Sequence, residues 1–219
     1  MNRTVLLYCC WLPATLLNSE RIEARFGSYA VTLLAQQGRW RVSSLESMDN
    51  GVATTRTLAV VRFAEPVPGA LQSVHAKISA GASLGASLQQ AGWRVMKTHV
   101  DTSHFTLTAA EREIAALMRV ADDAPLALHI YRLDAVMPGQ RLEYAMIAEL
   151  HHPDYLRADD VQAIYGVATS PDWRRRMLGE LPALLQARAK RLVRPVIGST
   201  LRPAADSFGE IVQCNVTTC

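Results

Sequence analysis

Cysteine is nearly absent from the body of this sequence. The four cysteines of the 219-residue chain lie at its ends, as Cys9, Cys10, Cys214 and Cys219, so positions 11–213 contain none. A disulfide framework or a zinc site made of thiolates therefore cannot organise the core. Aromatic residues are also scarce, at 6% of the chain. The core must be built mainly from aliphatic side chains.

An excess of one charge sign is missing from most of the chain. The net charge is only +3, from 23 Lys and Arg against 20 Asp and Glu. Residues 1–170 hold 15 basic and 16 acidic side chains, whereas residues 171–203 hold 8 and 2. Nucleic-acid-binding folds usually present a broad basic face. We therefore expect no nucleic-acid partner.

Long apolar runs are limited to the N-terminus. Arg3 and the apolar residues 4–17 have the charge and length of a signal peptide, but no small-x-small cleavage pattern follows them. The same residues fit an amphipathic first helix. Two expectations for residues 1–18 stay open: an exported chain with an N-terminal signal, or a cytoplasmic chain whose first helix packs on the fold. No other run approaches the ~20 residues that a membrane span needs.

With 49% hydrophobic residues, the chain has a globular composition. Asn50-Gly51 between two β-rich runs is a strong hairpin signal, and Pro138-Gly139 joins a second pair of alternating runs. Short helical patterns precede, separate and follow these hairpins. We predict an α+β fold, a single antiparallel sheet with helices on one face.

The chain divides by composition into four parts. We expect an apolar N-terminal segment at 1–18, the main domain at 19–168, a basic amphipathic helical segment at 169–203 and a tail at 204–219. The basic segment has an apolar leucine stripe and is broken near Pro182. We expect it to be peripheral, a docked helix with a solvated basic face; contact with an anionic membrane surface or an acidic partner is the alternative.

Three candidate chemical motifs do not fit their context. The loop 81–85 lacks the Lys-Ser/Thr of a phosphate-binding loop, and its Gly-x-Ser-x-Gly spelling around Ser83 follows a helix where a nucleophile elbow requires a strand. Glu149, His151, His152 and Asp154 crowd together, but strand spacing points His152 away from the face of Glu149 and His151. We therefore expect no metal and no cofactor.

Four short motifs occur in the order found in a known superfamily. They are ERIEARF at 20–26, RVSSL at 41–45 with RTLAV at 56–60, GASLG at 81–85, and AELHHP at 148–153. Together they resemble the first helix, central hairpin, ligand loop and closing strand of the chorismate lyase and UTRA superfamily. UTRA domains are the effector-binding domains of many bacterial transcription regulators. The resemblance covers roughly residues 12–156.

The resemblance implies a function and a set of site residues. Chorismate lyases convert chorismate to 4-hydroxybenzoate and pyruvate, without a metal or cofactor, in a buried pocket. Carried over by motif, the pocket residues are Glu149, the carboxylate-binding Arg41, the loop residue Leu84 and the first-helix residue Ile22, with Arg56 or Arg62 as alternatives to Arg41. An arginine fork suits this role because it pairs bidentately with a planar carboxylate.

Two functions therefore stay open. One is a chorismate-lyase-like enzyme with Glu149 and Arg41 as catalytic residues. The alternative is a non-catalytic, UTRA-like pocket for a small organic acid, favoured by Ala86 where many lyases have arginine and by the long stretch 89–125. Either function predicts that Glu149 and one arginine face the same enclosed cavity, with Leu84 at its rim. The structural alternative is a salt bridge from Glu149 to Arg132 or Arg41.

Overall fold

A six-stranded antiparallel sheet lies at the centre of the protein. The computed structural model describes residues 16–192, with the side chains in that range except those of residues 110 and 187–192. The strand order is β1-β2-β3-β6-β5-β4, and every neighbouring pair is antiparallel. The strands are β1 (Ala30–Gln37), β2 (Trp40–Asp49), β3 (Val52–Phe63), β4 (Arg94–Thr106), β5 (Pro125–Met137) and β6 (Gln140–His151). This topology confirms the predicted α+β class.

Seven α-helices surround the sheet in the described residues. They are α1 (Asn18–Phe26), α2 (Gln72–Ser79), α3 (Leu84–Gln90), α4 (Arg112–Met118), α5 (Ala158–Tyr165), α6 (Pro171–Leu178) and α7 (Leu181–Leu192). Residues 1–15 and 193–219 lie outside the description, so the expectations for the N-terminal signal and for the tail stay predictions. Within residues 16–192, no helix is both long and apolar enough to cross a membrane.

Both predicted hairpin turns are present. Asn50 and Gly51 have φ values of 50° and 81°, the left-handed pair that a tight two-residue turn between twisted strands requires. Gly139 has a φ of 75° in the turn between β5 and β6. These turns place β2 beside β3 and β5 beside β6, and the pairing of β3 with β6 joins the two hairpins.

The helices cover both faces of the sheet, so the expectation that they lie on one face is wrong. Helices α1, α2, α3 and α5 pack on the first face of the sheet, which carries Ala59 and Ile147. Helices α4, α6 and α7 pack on the second face of the sheet, which carries Val60 and Ala148. The physical reason is that the central strands are apolar on both faces, and each apolar face must be covered.

The expectation of a peripheral basic segment is also wrong for residues 171–186. Five of its apolar side chains are buried in the core of the second face: Met177, Leu178, Leu181, Leu184 and Leu185. The chain breaks between α6 and α7 at residues 179–180, and Pro182 lies in the first turn of α7, where its missing N–H is tolerated. The leucine stripe therefore completes the core. The predicted membrane or acidic-partner contact stays untested.

Candidate functional site

A cavity opens between the first face of the sheet, the start of α1 and the loop before α3. Including the part open to solvent, its empty volume is about 580 Å³. Its apolar lining comes from residues on α1, the sheet and the loop: Leu17, Val31, Leu45, Ala59, Val61, Leu84, Leu133 and Ile147. Its polar lining includes Asn18, Ser19, Tyr29, Arg41, Ser43, Ser83, Lys97, Tyr131 and Glu149.

Three of the six residues predicted for the site line this cavity: Arg41, Leu84 and Glu149. Strand register explains why the two charged residues share a face. Arg41 lies opposite Val61, and Glu149 lies opposite Ala59, two positions along the same strand. Leu84 begins α3 at the cavity wall. The geometry brings these residues together; their binding or catalytic roles stay predictions.

The other three predicted residues do not line the cavity. Ile22 is fully buried in the cluster between α1, α5 and the sheet. Arg56 is buried in an ion pair with Asp49 and lies over the ring of Phe26. Arg62 follows Val61 and therefore points to the opposite face of the sheet.

Arg62 lies near Trp40 and Trp173, at 5.9 and 6.0 Å from their ring centres. The direction of their side chains therefore rules out Arg56 and Arg62 as cavity residues. Arg41 is the arginine that faces the cavity.

Arg41 is held by neutral oxygens. Its Nε donates a hydrogen bond to the Ser43 hydroxyl at 2.8 Å, and Nη1 donates to the carbonyls of Ile78 and Ala82 at 2.5 and 2.9 Å. Only 2% of the residue is exposed. Burial lowers the pKa of the guanidinium, while Tyr144 and Tyr29 oppose that effect. In the part of the chain that the structure describes, no carboxylate forms an ion pair with it.

Glu149 does not form the predicted salt bridge to Arg132 or Arg41. Arg132 pairs with Asp134 instead, at 3.2 Å. One carboxylate oxygen of Glu149, Oε1, accepts a hydrogen bond from the Tyr131 hydroxyl at 3.1 Å. The other, Oε2, faces His129 Nδ1 at 3.7 Å and His151 Nε2 at 3.8 Å.

Glu149 is a carboxylate among neutral imidazoles at neutral pH. Burial opposes its ionisation, but the neighbouring His129 ring and the positive charge of Lys97 prevail and lower its pKa to about 2. Burial lowers the pKa of His151 to about 3, and it also lowers that of His129. Burial and the neighbouring His129 lower the pKa of His99 to about 4.

Sequence reasoning missed Lys97 and His129. Lys97 lines the cavity from β4, and its amino group lies 4.8 Å from the centre of the Tyr131 ring. Within the described part of the chain this amino group has no hydrogen-bond partner. Burial lowers its pKa, although Glu149 partly restores it. His129 is fully buried opposite Glu149. The alternation of Val95, Lys97 and His99, which is typical of a strand, is a usable signal for Lys97.

The two motifs set aside in the sequence have clear positions. Ser83 lines the cavity just before α3, after helix α2 and a loop, so the strand that a nucleophile elbow requires does not precede it. His152 pairs with Asp154 at 3.8 Å. His152 and Asp154 therefore lie apart from the cluster of Glu149 with His151.

Comparison with known proteins gives distant structural neighbours. No protein-family model matches the chain, and no curated protein matches it. The PhnF C-terminal domain has 15% identity over 58% of this chain and 82% of that chain, with a TM-score of 0.37. PhnF from Mycobacterium smegmatis has 16% identity over 65% of this chain and 66% of that chain, with a TM-score of 0.37. The effector domain of PhnF from Mycobacterium smegmatis has 18% identity over 67% of this chain and 93% of that chain, also with a TM-score of 0.37.

At these identities and TM-scores, neither a ligand nor an activity is transferred to this chain. The architecture described above carries the fold assignment, and the cavity carries the argument about function.

Proposed function

We propose that this chain binds a small organic anion in the cavity, without transforming it. The observation that carries the proposal is Arg41, a guanidinium that is 2% exposed and lines the cavity with no carboxylate partner among the described residues. A buried charge is costly unless it is paired. An anionic ligand supplies the missing partner.

The carbonyl contacts of Arg41 support this proposal. The carbonyls of Ile78, Gly81 and Ala82 accept hydrogen bonds from the guanidinium and fix its plane. Neutral acceptors satisfy the N–H groups but leave the positive charge without a negative partner. A prepositioned arginine binds a carboxylate with little loss of side-chain freedom.

The remaining lining supports an amphipathic ligand. Aliphatic side chains from the sheet and from Leu84 cover the middle of the cavity and suit an apolar body. Lys97 on β4 and Arg41 on β2 lie on opposite sides, with β3, β6 and β5 between them. A ligand with a carboxylate at one end and a polar group at the other fits this distribution of charge.

Glu149 favours binding over chorismate cleavage. A general acid must carry a proton near neutral pH, but the pKa of Glu149 is lowered to about 2, so it is ionised. The same negative charge repels a carboxylate from its side of the cavity, which directs an anion towards Arg41. We therefore propose the non-catalytic function and treat cleavage as an outcome of the test.

The test is a thermal-unfolding screen of the full chain with small carboxylates. The probes are 4-hydroxybenzoate, benzoate, a short aliphatic dicarboxylate and chorismate, with the neutral amides of the first two as matched controls. We expect at least one carboxylate, but not its amide, to raise the melting temperature, because a ligand that binds only the folded state stabilises it. Stabilisation by none of the carboxylates, or equally by the amides, would contradict the proposal.

Variants locate the binding. Arg41→Gln should abolish the stabilisation, whereas Arg62→Gln, on the opposite sheet face, should preserve it. Because Arg41 also holds the loop carbonyls, Leu84→Trp serves as a second variant that fills the cavity without touching the guanidinium. Release of 4-hydroxybenzoate from chorismate, measured by its absorbance, would instead establish the lyase activity.

A further inference from the structure

Three buried side chains beside the cavity have one polar atom each without a partner among residues 16–192, and these atoms face one another. They are His129 Nδ1, Glu149 Oε2 and His151 Nε2. Both histidines are 0% exposed and Glu149 is 3% exposed. Unpartnered polar atoms are rare in protein interiors, and each one needs a physical explanation. A single group that contacts all three atoms would supply the missing partner of each.

We propose that this cluster, the His–Glu cluster, binds a divalent transition-metal ion. The carboxylate oxygen lies 3.7 Å from one imidazole nitrogen and 3.8 Å from the other, and ligand atoms of all three residues lie within 4.8 Å of one another. For three atoms at these separations, the nearest point equidistant from all three lies at most about 2.4 Å from each atom. A small contraction of the cluster would shorten this distance to the ~2.0–2.2 Å of zinc bonds to nitrogen and oxygen ligands.

The neighbours of the cluster orient each ligand as metal sites require. Metal-binding histidines commonly donate their second ring N–H to a fixed acceptor. His129 Nε2 lies 2.9 Å from His99 Nδ1, and His151 Nδ1 lies 3.0 Å from the Thr57 hydroxyl. In the metal-bound form both nitrogens donate to these partners, which leaves the opposite ring nitrogens as ligands.

Other contacts restrict the ligands further. The second oxygen of Glu149 accepts the hydrogen bond from Tyr131. The ring of Tyr165 stacks on that of His129 with centres 4.0 Å apart and an angle of 14°. The three ligand side chains therefore have little freedom to turn away from one another.

The donor set and the surrounding charge select the class of metal. Two imidazoles and one carboxylate suit Zn²⁺, Co²⁺, Ni²⁺, Cu²⁺ or Fe²⁺, whereas Mg²⁺ and Ca²⁺ require oxygen ligands. The positive side chains of Lys97 and Arg21 also lie within electrostatic reach of Glu149. Because the site has one negative ligand and lies near positive side chains, a metal ion must be held by strong metal–nitrogen bonds. This requirement excludes Mg²⁺ and Ca²⁺.

The metal proposal goes beyond the proposed binding of an organic anion. Glu149 belongs to both the cavity lining and the His–Glu cluster, but Arg41 belongs to the cavity alone and His129 and His151 to the cluster alone. The two proposals therefore fail separately: loss of anion binding in Arg41→Gln says nothing about the metal, and the histidine variants address only the cluster.

The test is titration of the full chain with Co²⁺ after removal of metal by a chelator. The background carries serine in place of Cys9, Cys10, Cys214 and Cys219, so that thiolates cannot bind the probe. We expect one equivalent of Co²⁺ to bind and to give the visible absorption bands typical of a Co²⁺ ion with a low coordination number. Zn²⁺ should displace the bound Co²⁺. Mg²⁺ should not compete.

Variants assign the ligands. His129→Gln and His151→Gln should each weaken Co²⁺ binding by more than about 100-fold, because loss of an outer-shell partner alone costs about 10- to 100-fold. Thr57→Val, which removes such a partner, should cost about 10-fold. His104→Gln, an exposed histidine of β4, should bind Co²⁺ as the background does. Absence of binding, or binding unchanged by both ligand variants, would overturn the proposal.

A measurement on the unmodified chain keeps the proposal testable if the ligand variants fail to fold. A crystal soaked in Zn²⁺ should give an anomalous-scattering peak between the three side chains. A peak of ordinary density without anomalous signal would identify a bridging water, and that result would overturn the metal assignment.

Discussion

Removal of α6 and α7 should unfold the protein. A chain that ends at Ser170 lacks both helices and with them Met177, Leu178, Leu181, Leu184 and Leu185, all buried against the second face of the sheet. That face, which includes Val60 and Ala148, would then be exposed to water. The truncation tests whether the basic segment is part of the core.

The structure gives the size of the effect. Full burial of one aliphatic side chain stabilises by about 1.5–3 kcal/mol, so five such side chains contribute roughly 8–15 kcal/mol. The free energy of unfolding of a whole domain is about 5–15 kcal/mol. Loss of the two helices therefore removes about as much stability as the entire domain has.

Urea unfolding, followed by tryptophan fluorescence and far-ultraviolet circular dichroism, measures the effect. Leu181→Ala and Leu184→Ala in the full chain should each lower the free energy of unfolding by about 2–5 kcal/mol. Arg175→Ala, whose side chain is 79% exposed in α6, should change it by less than about 1 kcal/mol. A truncated chain that melts cooperatively at the temperature of the full chain would refute the reasoning.

Three further predictions concern stability. In chelator-treated protein, His151 should lower the free energy of unfolding by about 2 kcal/mol as the pH falls from 7 to 5. The pKa of His151 is lowered to about 3 in the folded state, so only the unfolded chain gains the proton in this pH range. Urea titrations of His151→Gln should lack this loss. Arg56→Ala should lower the free energy of unfolding by about 2 kcal/mol, because it removes a buried guanidinium that is paired with the partly exposed Asp49 and packed on Phe26. Calorimetry should show unchanged carboxylate binding. Gly51→Ala should cost about 1–2 kcal/mol because of its φ of 81°, whereas Gly69→Ala, with open space around it, should be nearly neutral in the same urea assay.

Local signals predicted the sheet well. Asn50-Gly51 and Pro138-Gly139 are short-range turn signals, and both hairpins follow from them without knowledge of distant contacts. The α+β class and the strand runs could therefore be predicted. The burial of α6 and α7 was misjudged because their charge was weighed above the apolar stripe, and because nothing local shows that both sheet faces need cover.

The site depended on features that local patterns do not reveal. A β-bulge at Arg56 in β3 sets Arg41 opposite Val61, and this register decides which arginine faces the cavity. A second bulge, at Tyr144 in β6, brings His129 opposite Glu149; regular pairing from the turn would place Ala148 there. A shift of one residue reverses the face of every side chain.

The need of Arg41 for an anion follows from its residue type, but its place at the cavity wall depends on distant contacts. An arginine in a central hairpin was expected to need an anion, and the structure places this one at the cavity wall with carbonyl partners from the loop 78–82. The loop contacts are long-range in sequence, so spacing could not separate Arg41 from Arg56 and Arg62. Packing direction separates them.

Isothermal titration calorimetry tests the central claim most directly, with the carboxylate that gives the largest rise in melting temperature as the ligand. The unmodified chain and Arg62→Gln should bind one equivalent with the same affinity, and Arg41→Gln should bind about 10- to 150-fold more weakly, as expected for loss of about 1.5–3 kcal/mol from a charged hydrogen bond. Equal affinity in Arg41→Gln and the unmodified chain would contradict the account.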